Sequence, residues 1–214
     1  MASRPPEGHR AAEAQTPLRR RPSQRRSRER VERMLSCAAE IIAEKGSDAL
    51  RMSEVAQLAD VSIGSLYQYF PDKSAILRTL AEHYNAECRR CVEEALDTAA
   101  TMDELCAAFA ELVDDYYGLF LAEPVIRDIR SGTLADKALR DIEIADSRAN
   151  GALLAKALQR VRPGSDPEAL HTASFLIMHL GEATMRLAIS LERRKGDALV
   201  AAYKRMALAE LHRG

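Results

Sequence analysis

Signals that start and stop helices recur along almost the whole chain, and they constrain the fold more than any other feature of the sequence. Thr101 and Glu104 have the spacing of a capping box, in which two side chains satisfy backbone N–H groups at a helix start. Pro71 and Pro124 interrupt helical patterns of apolar residues, and Gly46 follows one. No segment alternates apolar and polar residues as a half-buried strand would. The sequence therefore predicts an all-α protein.

These signals divide the chain into nine predicted helices. The start of the eighth is assigned to Ser165 and Glu168, a second pair with capping-box spacing, with Pro167 in the first turn, and its end is assigned to Gly196. The predicted helices span about residues 27–45, 52–59, 63–70, 73–99, 102–123, 125–131, 136–160, 166–195 and 197–212.

Composition supports a helical protein and argues against a membrane location. The chain is 47% hydrophobic and 29% charged, has no Trp, and contains only 10 Gly and 8 Pro. No apolar run approaches the roughly 18 to 20 residues of a membrane span, and the arginine-rich start has no apolar stretch typical of a secretory signal. We expect a cytoplasmic protein with no membrane partner. Its four cysteines, Cys37, Cys88, Cys91 and Cys106, are expected to be reduced.

The first 26 residues are predicted to form a disordered basic arm, because they contain almost no large apolar side chain. Residues 1–33 hold ten Arg against four Glu, a net charge of +6, whereas the remainder carries a net charge of −7. One end of the chain is therefore suited to a polyanion. The arm is interpreted either as a solvated tail or as a segment that contacts the minor groove or the phosphates of DNA.

Residues 52–70 have the organisation of a helix-turn-helix, in which a bracing helix is followed by a sharp turn and a second helix enters the major groove. The purely structural alternative is an ordinary helical hairpin within an all-α core. The inward positions are predicted to form a small core with the first helix, and the outward positions to approach base edges. The inward set is Val55, Ala59, Val61, Leu66 and Phe70, and the outward set is Ile63, Gly64, Ser65 and Gln68.

The residue types around the second helix suit contacts with DNA. Ser62 is predicted to cap the helix and to present its first N–H groups to a phosphate, and Tyr67, Tyr69 and Lys73 are predicted to reach backbone oxygens. Three outward side chains suit base recognition. Gln68 can bind adenine with two hydrogen bonds, Ser65 can donate or accept, and Ile63 can pack on a thymine methyl.

The segment from Arg30 to His83 resembles the DNA-binding domain of the tetracycline-repressor (TetR) family. The shared features include Gly46, the Val55-Ala56 pair, Leu66-Tyr67, Tyr69-Phe70 and Lys73. The resemblance implies a homodimer that binds a near-palindromic DNA operator, with the eighth and ninth helices pairing the subunits. It also implies a C-terminal cavity for a small-molecule inducer, whose identity the residues do not indicate.

Three residues depart from the pattern of that family. Arg51 stands where Ser or Thr usually begins the second helix, so the cap is lost and a phosphate contact becomes possible. Asp60 replaces the usual turn Gly, which is tolerable because Asp accepts a left-handed conformation. Ile63 replaces a common Lys and exchanges a polar contact for an apolar one. We therefore expect an operator that differs from those of the relatives.

The resemblance divides the chain into the arm at 1–26, the helix-turn-helix domain at 27–72 and a ligand-binding and dimerisation domain at 73–214. Ligand contacts are predicted on the fifth and eighth helices, although the fifth-helix series is equally consistent with core packing. The polar pair His179 and Glu182 is interpreted as the polar end of a pocket or as a satisfied buried pair. The predicted ligand-binding residues are Met102, Phe109, Val113, Tyr116, Tyr117, Phe120, Phe175, Met178, His179 and Glu182.

Two further patterns on the later helices have more than one interpretation. Asp114 and Asp115, beside Tyr116 and Tyr117, suit either a cationic ligand or a solvated helix face. The eighth helix carries an apolar seam that faces either its own core or a partner subunit. The seam consists of Leu176, Leu180, Ala183, Leu187 and Leu191.

Catalytic and cofactor sites are not indicated. The sequence has no glycine-rich phosphate loop, nucleophile elbow or metal-binding helix motif, and its five His are scattered. Cys88 and Cys91 lie one helical turn apart without further ligands nearby, so no metal site is expected there. The sequence favours a ligand-responsive repressor without a cofactor. The alternatives are a thiol- or metal-responsive regulator on the same scaffold and a non-specific architectural DNA-binding protein.

Overall fold

The computed structural model describes residues 21–132 and 136–213, and within these ranges the chain forms nine α-helices and no strand. This confirms the prediction of an all-α, nine-helix protein. None of the helices in the described ranges combines the length and apolar character that crossing a bilayer requires. The helices are α1 Arg21–Lys45, α2 Met52–Leu58, α3 Ile63–Tyr69, α4 Lys73–Asp97, α5 Met102–Ala122, α6 Pro124–Gly132, α7 Lys137–Val161, α8 Pro167–Ile189 and α9 Arg193–Arg213.

The first of two hydrophobic clusters holds α1, α2 and α3 together. Met34 on α1, Val55 on α2 and Leu66 on α3 have no exposed surface. The first half of α4 belongs to the same cluster through Ile76, and α6 contributes Ile129. Because each short helix buries only one or two large side chains, the order of this region depends on their common packing against α1 and α4.

The second cluster is built from α5, α7, α8 and α9 and receives the end of α4 through Leu96. Phe109 and Phe120 of α5, together with Leu154 of α7 and Met185 of α8, are among its most completely buried side chains. Helix α4 contributes to both clusters and α6 touches both, so these two helices connect the two halves of the fold.

Three helices begin at the capping residues that were predicted from the sequence. The Ser62 hydroxyl accepts a hydrogen bond from the Ser65 N–H, and the Asp72 carboxylate accepts one from the Ala75 N–H. Thr101 and Glu104 form the expected capping box. Each of these contacts satisfies an N–H group that the first helical turn would otherwise leave without a partner.

The first helix is longer than predicted, since α1 begins at Arg21 rather than at Ser27. The last part of the proposed disordered arm is therefore helical, and residues 1–20 of the arm lie outside the described residues. The physical reason is that Arg and Gln are good helix formers and need no large apolar side chain to continue a helix. An ion pair between Arg25 and Glu29, one turn apart at 3.3 Å, supports the extension.

The boundary between the last two helices was also predicted incorrectly. Helix α8 is capped by Asp166 rather than Ser165 and ends at Ile189, and α9 starts at Arg193. Gly196, which the sequence suggested as a stop, lies inside α9, where a Cβ atom would come within 2.6 Å of the Ala188 carbonyl oxygen. This glycine allows α8 and α9 to approach closely, a role that a helix-stop pattern does not distinguish.

Candidate functional site

The exposed surface of α3 is the first candidate site. Ile63 is 43% exposed, Tyr67 is 50% exposed, and Gly64 and Gln68 are also exposed, whereas Leu66 is fully buried against the first cluster. Ser65 is half-buried, and its N–H group donates to the Ser62 hydroxyl at 3.1 Å. Of the four residues predicted to face outward, Ile63, Gly64 and Gln68 are therefore exposed and Ser65 is only partly so.

The turn before α3 depends on Asp60, whose φ of 53° is the only left-handed backbone of a non-glycine residue in the described part of the chain. This conformation is unfavourable for most side chains and is tolerated by Asp. It brings the Val61 N–H to the Ala56 carbonyl oxygen at 3.0 Å and closes the turn between α2 and α3. The α3 start is thus presented at a fixed angle to α2.

Three predicted phosphate contacts have partners within the protein. The Tyr69 hydroxyl shares a 3.1 Å hydrogen bond with Ser27 of α1, and its ring packs on the first cluster. The Lys73 ammonium lies 3.4 Å from the carbonyl oxygens of both Ser47 and Asp48. The exposed Arg51 guanidinium donates to the Asp48 carbonyl oxygen at 2.9 Å. Of these three side chains, only Arg51 is exposed, so Tyr69 and Lys73 are placed mainly to hold α3 and α4 in position.

A cavity of about 280 Å³ lies within the second cluster, between α4, α5, α7 and α8, with Tyr203 of α9 at one side. Cys91 and Asp115 are exposed residues of its wall, so its opening lies toward α4 and α5. The wall is mostly apolar and has a few polar groups, which is the usual composition of a small-molecule site.

Five of the ten predicted ligand-binding residues line this cavity. They lie on one face of α5 and on one face of α8, because helical spacing places residues three, four and seven apart on the same side. These five are Phe109, Val113, Tyr116, Met178 and Glu182.

The other five lie elsewhere, because they belong to different faces of the same helices or to the packed core. Phe120 is completely buried and Met102 packs at the edge of the second cluster. The Tyr117 ring faces α9, where the Arg193 guanidinium lies 5.7 Å from its centroid. Phe175 lies under the Arg148 guanidinium at 5.5 Å, and His179 bonds to Ser147 at 3.2 Å.

Helix α7 contributes polar residues to the cavity that were not predicted from the sequence. Glu143, Asp146, Ser147 and Asn150 are all buried, and the last three line the cavity. Their spacing places all four on one side of a helix, a polar stripe that is visible in the sequence and would have marked a buried polar face.

A buried polar network includes two residues of the cavity wall, Tyr116 and Glu182. The Tyr116 hydroxyl donates to Glu182 Oε1 at 2.5 Å, and Glu182 Oε2 lies 3.6 Å from Arg130 Nη1. Arg130 also donates to Asn85 Oδ1 at 2.5 Å, which ties α6 to α4. Burial raises the pKa of the Glu182 carboxyl above its ordinary value, while the charge of Arg130 acts in the opposite direction. The Arg130 guanidinium therefore opposes the effect of burial on the Glu182 carboxyl.

The Asp146 carboxylate, also on the cavity wall, accepts hydrogen bonds from Arg89 and from Asn150 Nδ2. Within the described residues, two buried acceptors near the cavity have no hydrogen-bond donor, namely Asn150 Oδ1 and Glu182 Oε2. Unsatisfied buried acceptors cost free energy, and a bound molecule can satisfy them.

The two cysteines of the cavity wall are expected to differ in reactivity. Burial raises the pKa of the Cys88 thiol to about 11, so that at pH 8 only about one molecule in a thousand carries the reactive thiolate there. Cys91 is exposed. Iodoacetamide at pH 8, followed by peptide mass spectrometry, should modify Cys91 well before Cys88, and the Cys88 rate should rise about tenfold for each pH unit. Equal rates at the two residues would contradict this assignment.

An apolar surface lies on the outer side of α8 and at its end. Leu176, Leu180, Leu187 and Leu191 are between 41% and 53% exposed, and Met206 of α9 is 70% exposed. The apolar seam of the sequence therefore faces away from the protein's own core. A contiguous exposed apolar surface is typical of a protein interface.

Two family models match the chain. The model described as "Bacterial regulatory proteins, tetR family" matches residues 34–80, which include α2, α3 and the start of α4. The model described as "Tetracyclin repressor-like, C-terminal domain" matches residues 103–213, more than half of the chain. The second match includes most of the cavity wall.

Individual relatives agree with the family models. The repressor KstR of Mycolicibacterium smegmatis is 44% identical over 50 residues, which is 23% of this chain and 24% of KstR. The chain thus matches only about a quarter of the length of this curated relative. A TetR-family regulator from Pectobacterium atrosepticum superposes with a TM-score of 0.66 at 22% identity, covering 91% of this chain and 97% of that one.

FadR from Bacillus subtilis, whose structure was solved in complex with stearoyl-CoA, superposes with a TM-score of 0.60 at 20% identity. The superposition covers 86% of this chain and 98% of that one. At this level of identity, the two structural similarities establish the shared fold.

Proposed function

The chain belongs to the TetR family of bacterial transcriptional regulators, which bind DNA and are not enzymes, and on this premise we propose that it is a ligand-responsive repressor. As a homodimer it binds a near-palindromic operator through α3, and a small molecule in the cavity releases it. DNA binding belongs to residues 27–72, and ligand binding and dimerisation to residues 73–214.

The observation that carries the proposal is the outward face of α3. Ile63, Gly64 and Gln68 are exposed together on a helix whose opposite side is anchored by Leu66. Because Gly64 has no side chain, the helix backbone can approach the floor of the major groove there, and Gln68 can reach a base edge. Arg51, Ser62 and Tyr67 flank this face and are proposed to contact phosphates.

The test is quantitative binding of the full chain to DNA from upstream of its own gene and to a shuffled sequence, at two salt concentrations. We expect a preference of roughly a thousandfold or more for the upstream DNA. Both affinities should fall with salt, because phosphate contacts release counterions. Equal affinities for the two DNAs would instead support an architectural DNA-binding protein.

Changing Gly64 to Ala is expected to weaken operator binding by about 1–3 kcal/mol, the range of one base contact. A Cβ at this position meets nothing within 4 Å, so the fold should be unchanged or up to about 1 kcal/mol more stable. Fluorescence anisotropy with labelled operator and urea unfolding separate the two effects. The matched control is Gly118→Ala on α5, which is equally open and far from α3. An unchanged operator affinity would show that Gly64 does not face DNA.

A second copy of the chain is proposed to cover the exposed leucines of α8. The two copies place their α3 helices in successive major grooves about 34–36 Å apart, and a ligand favours a different spacing. Two helices connect the cavity to the DNA-binding half. Helix α4 carries Cys88 of the cavity wall, and α6 carries both Arg130 and Asp128, whose carboxylate accepts a 2.8 Å hydrogen bond from the Ser47 N–H.

Replacing Leu180 with Glu is expected to raise the dimer dissociation constant by roughly a hundredfold or more, since an unpaired carboxylate in an interface costs several kcal/mol. Sedimentation equilibrium measures this directly. The control is Leu58→Glu, because Leu58 is similarly exposed at 50% but lies on α2. A Leu180→Glu variant that remains as dimeric as the control would contradict the assignment of α8 to the interface.

A further inference from the structure

The two tyrosine hydroxyl groups of the cavity wall already use their protons inside the protein. Tyr116 donates its proton to Glu182 Oε1, and Tyr203 donates its proton to the Ile177 carbonyl oxygen at 2.7 Å. A phenol has a single proton to donate. Neither tyrosine can therefore donate to a ligand without losing a hydrogen bond that it already makes inside the protein.

Acceptors, by contrast, are available beside the cavity. Asn150 Nδ2 is turned toward Asp146, which leaves Asn150 Oδ1 without a donor among the described residues. Glu182 Oε2 faces Arg130 at 3.6 Å but lacks a hydrogen bond there. A molecule that places an O–H or N–H group at this end would satisfy acceptors that are otherwise buried at a cost.

The charges of the wall point in the same direction. Among the described residues that line the cavity, the charged ones are Asp115, Asp146 and Glu182, all of them acidic. Arg89 and Arg130 pair with two of these carboxylates but do not line the cavity themselves. An anionic ligand would therefore bury its charge in the cavity without a cation in contact, which is strongly unfavourable.

The rest of the wall selects an apolar and compact body. Phe109, Leu112, Met178 and Met185 supply aromatic and flexible apolar surface from α5 and α8. The volume of about 280 Å³ lies near the lower end of the roughly 300–1,000 Å³ of ordinary ligand pockets.

We propose that the molecule recognised by this cavity is compact and mostly apolar, carries no negative charge, and donates hydrogen bonds to Asn150 Oδ1 and Glu182 from its polar end. Alcohols, phenols and protonated amines share this chemistry. Carboxylates do not, and neither do CoA thioesters, which carry several phosphate charges. The inference rests on the proposed ligand-responsive function and specifies the class of its ligand.

The test uses compounds that share one apolar body and differ only in the polar end: phenylpropanol, phenylpropylamine and phenylpropionate, with a matching cyclohexyl series. Isothermal titration calorimetry on the full chain should show that the alcohol or the amine binds roughly tenfold or more tightly than the carboxylate. Comparing alcohol with amine identifies which donor is preferred. The proposal would be overturned if the carboxylate bound as tightly as the alcohol and the amine. It would also be overturned if no compound of the series bound at millimolar concentration.

The Asn150→Leu variant adds a test of the position of the polar end. The variant lacks one acceptor, so its affinity for the alcohol and the amine should fall severalfold. Its affinity for the carboxylate should not increase. Ser174→Ala is the control, because Ser174 is a fully buried polar residue of α8 that does not line the cavity. Equal effects of the two variants would contradict the assigned position. If Asn150→Leu unfolds, the compound series on the unmodified chain still decides.

The same protein preparations are also tested for binding to upstream and shuffled DNA. Specific DNA binding combined with a preference for carboxylates overturns the ligand inference and leaves the regulatory function standing. A preference for the alcohol or the amine without specific DNA binding overturns the regulatory function and leaves the assignment of the ligand class standing. The failures of the two proposals are thus distinguishable.

Discussion

Replacing Arg130 with Met is expected to lower the free energy of unfolding by about 3–5 kcal/mol, the usual cost of removing one partner of a buried ion pair. Arg130 is only 4% exposed, and its guanidinium holds both the Glu182 carboxylate and the Asn85 amide oxygen. Without it, Glu182 remains as an uncompensated charge inside the second cluster. Urea unfolding followed by circular dichroism measures the loss.

The pH dependence of the free energy of unfolding of the Arg130→Met variant tests whether the unpaired Glu182 carboxylate causes the loss of stability. The pKa of Glu182 is raised in the folded state by burial, so the folded state holds its proton more tightly than the unfolded state does. The destabilisation is therefore present above the folded-state pKa and fades as the pH falls through it. Without the opposing charge of Arg130, this pKa should rise further, and the deficit relative to the unmodified chain should shrink on acidification.

Two additional variants complete that experiment. Arg127→Met removes an exposed arginine from the same helix and should change stability by less than about 0.5 kcal/mol. Adding Glu182→Gln to Arg130→Met should restore much of the loss, because it removes the unpaired charge. If Arg130→Met is no more harmful than Arg127→Met, the buried pair does not contribute to stability as we infer.

Changing Gly151 to Ala is expected to destabilise the fold by about 3 kcal/mol or more, because the added methyl group has no space. Gly151 lies where α7 crosses α8, and its Cβ would be 2.7 Å from the Cα and 2.9 Å from the N of Phe175. These are backbone atoms, so the two helices must separate. Since both helices also form the cavity wall, the affinity for a cavity ligand should fall as well.

The control for Gly151→Ala is the same substitution at Gly118, where a Cβ meets nothing within 4 Å. Inside a helix, exchanging Gly for Ala at an open position should stabilise by about 0.5–1 kcal/mol. The two variants should therefore change the urea midpoint in opposite directions. A Gly151→Ala variant at least as stable as the unmodified chain would show that α7 and α8 can separate freely.

Local features of the fold were predictable because their causes are local. The Ser62 and Asp72 caps, the capping box at Thr101 and Glu104, and the left-handed Asp60 each depend on residues within a few positions of one another. The nine helices follow from such signals and from apolar spacing. Errors arose at the start of α1, which no clear local signal marks, and between α8 and α9, where Gly196 suggested a stop but lies inside α9.

The cavity was only half predictable, because helical spacing tells which residues share a face but not what that face meets. Phe109 and Phe120 belong to one apolar series on α5, yet only Phe109 lines the cavity while Phe120 is enclosed by the core. His179 and Glu182 are one turn apart, yet only Glu182 reaches the cavity.

By itself, the sequence determined the helical class, the helix-turn-helix with its exposed face, and the resemblance that the family models bear out. These depend on capping, spacing and turn chemistry, which act within a few residues. The tertiary structure alone decided that Arg130 neutralises Glu182, that Gly151 permits the α7–α8 crossing, and that the polar stripe of α7 closes a cavity. In each case the decisive contact joins residues more than twenty positions apart, which only the packing of the helices brings together.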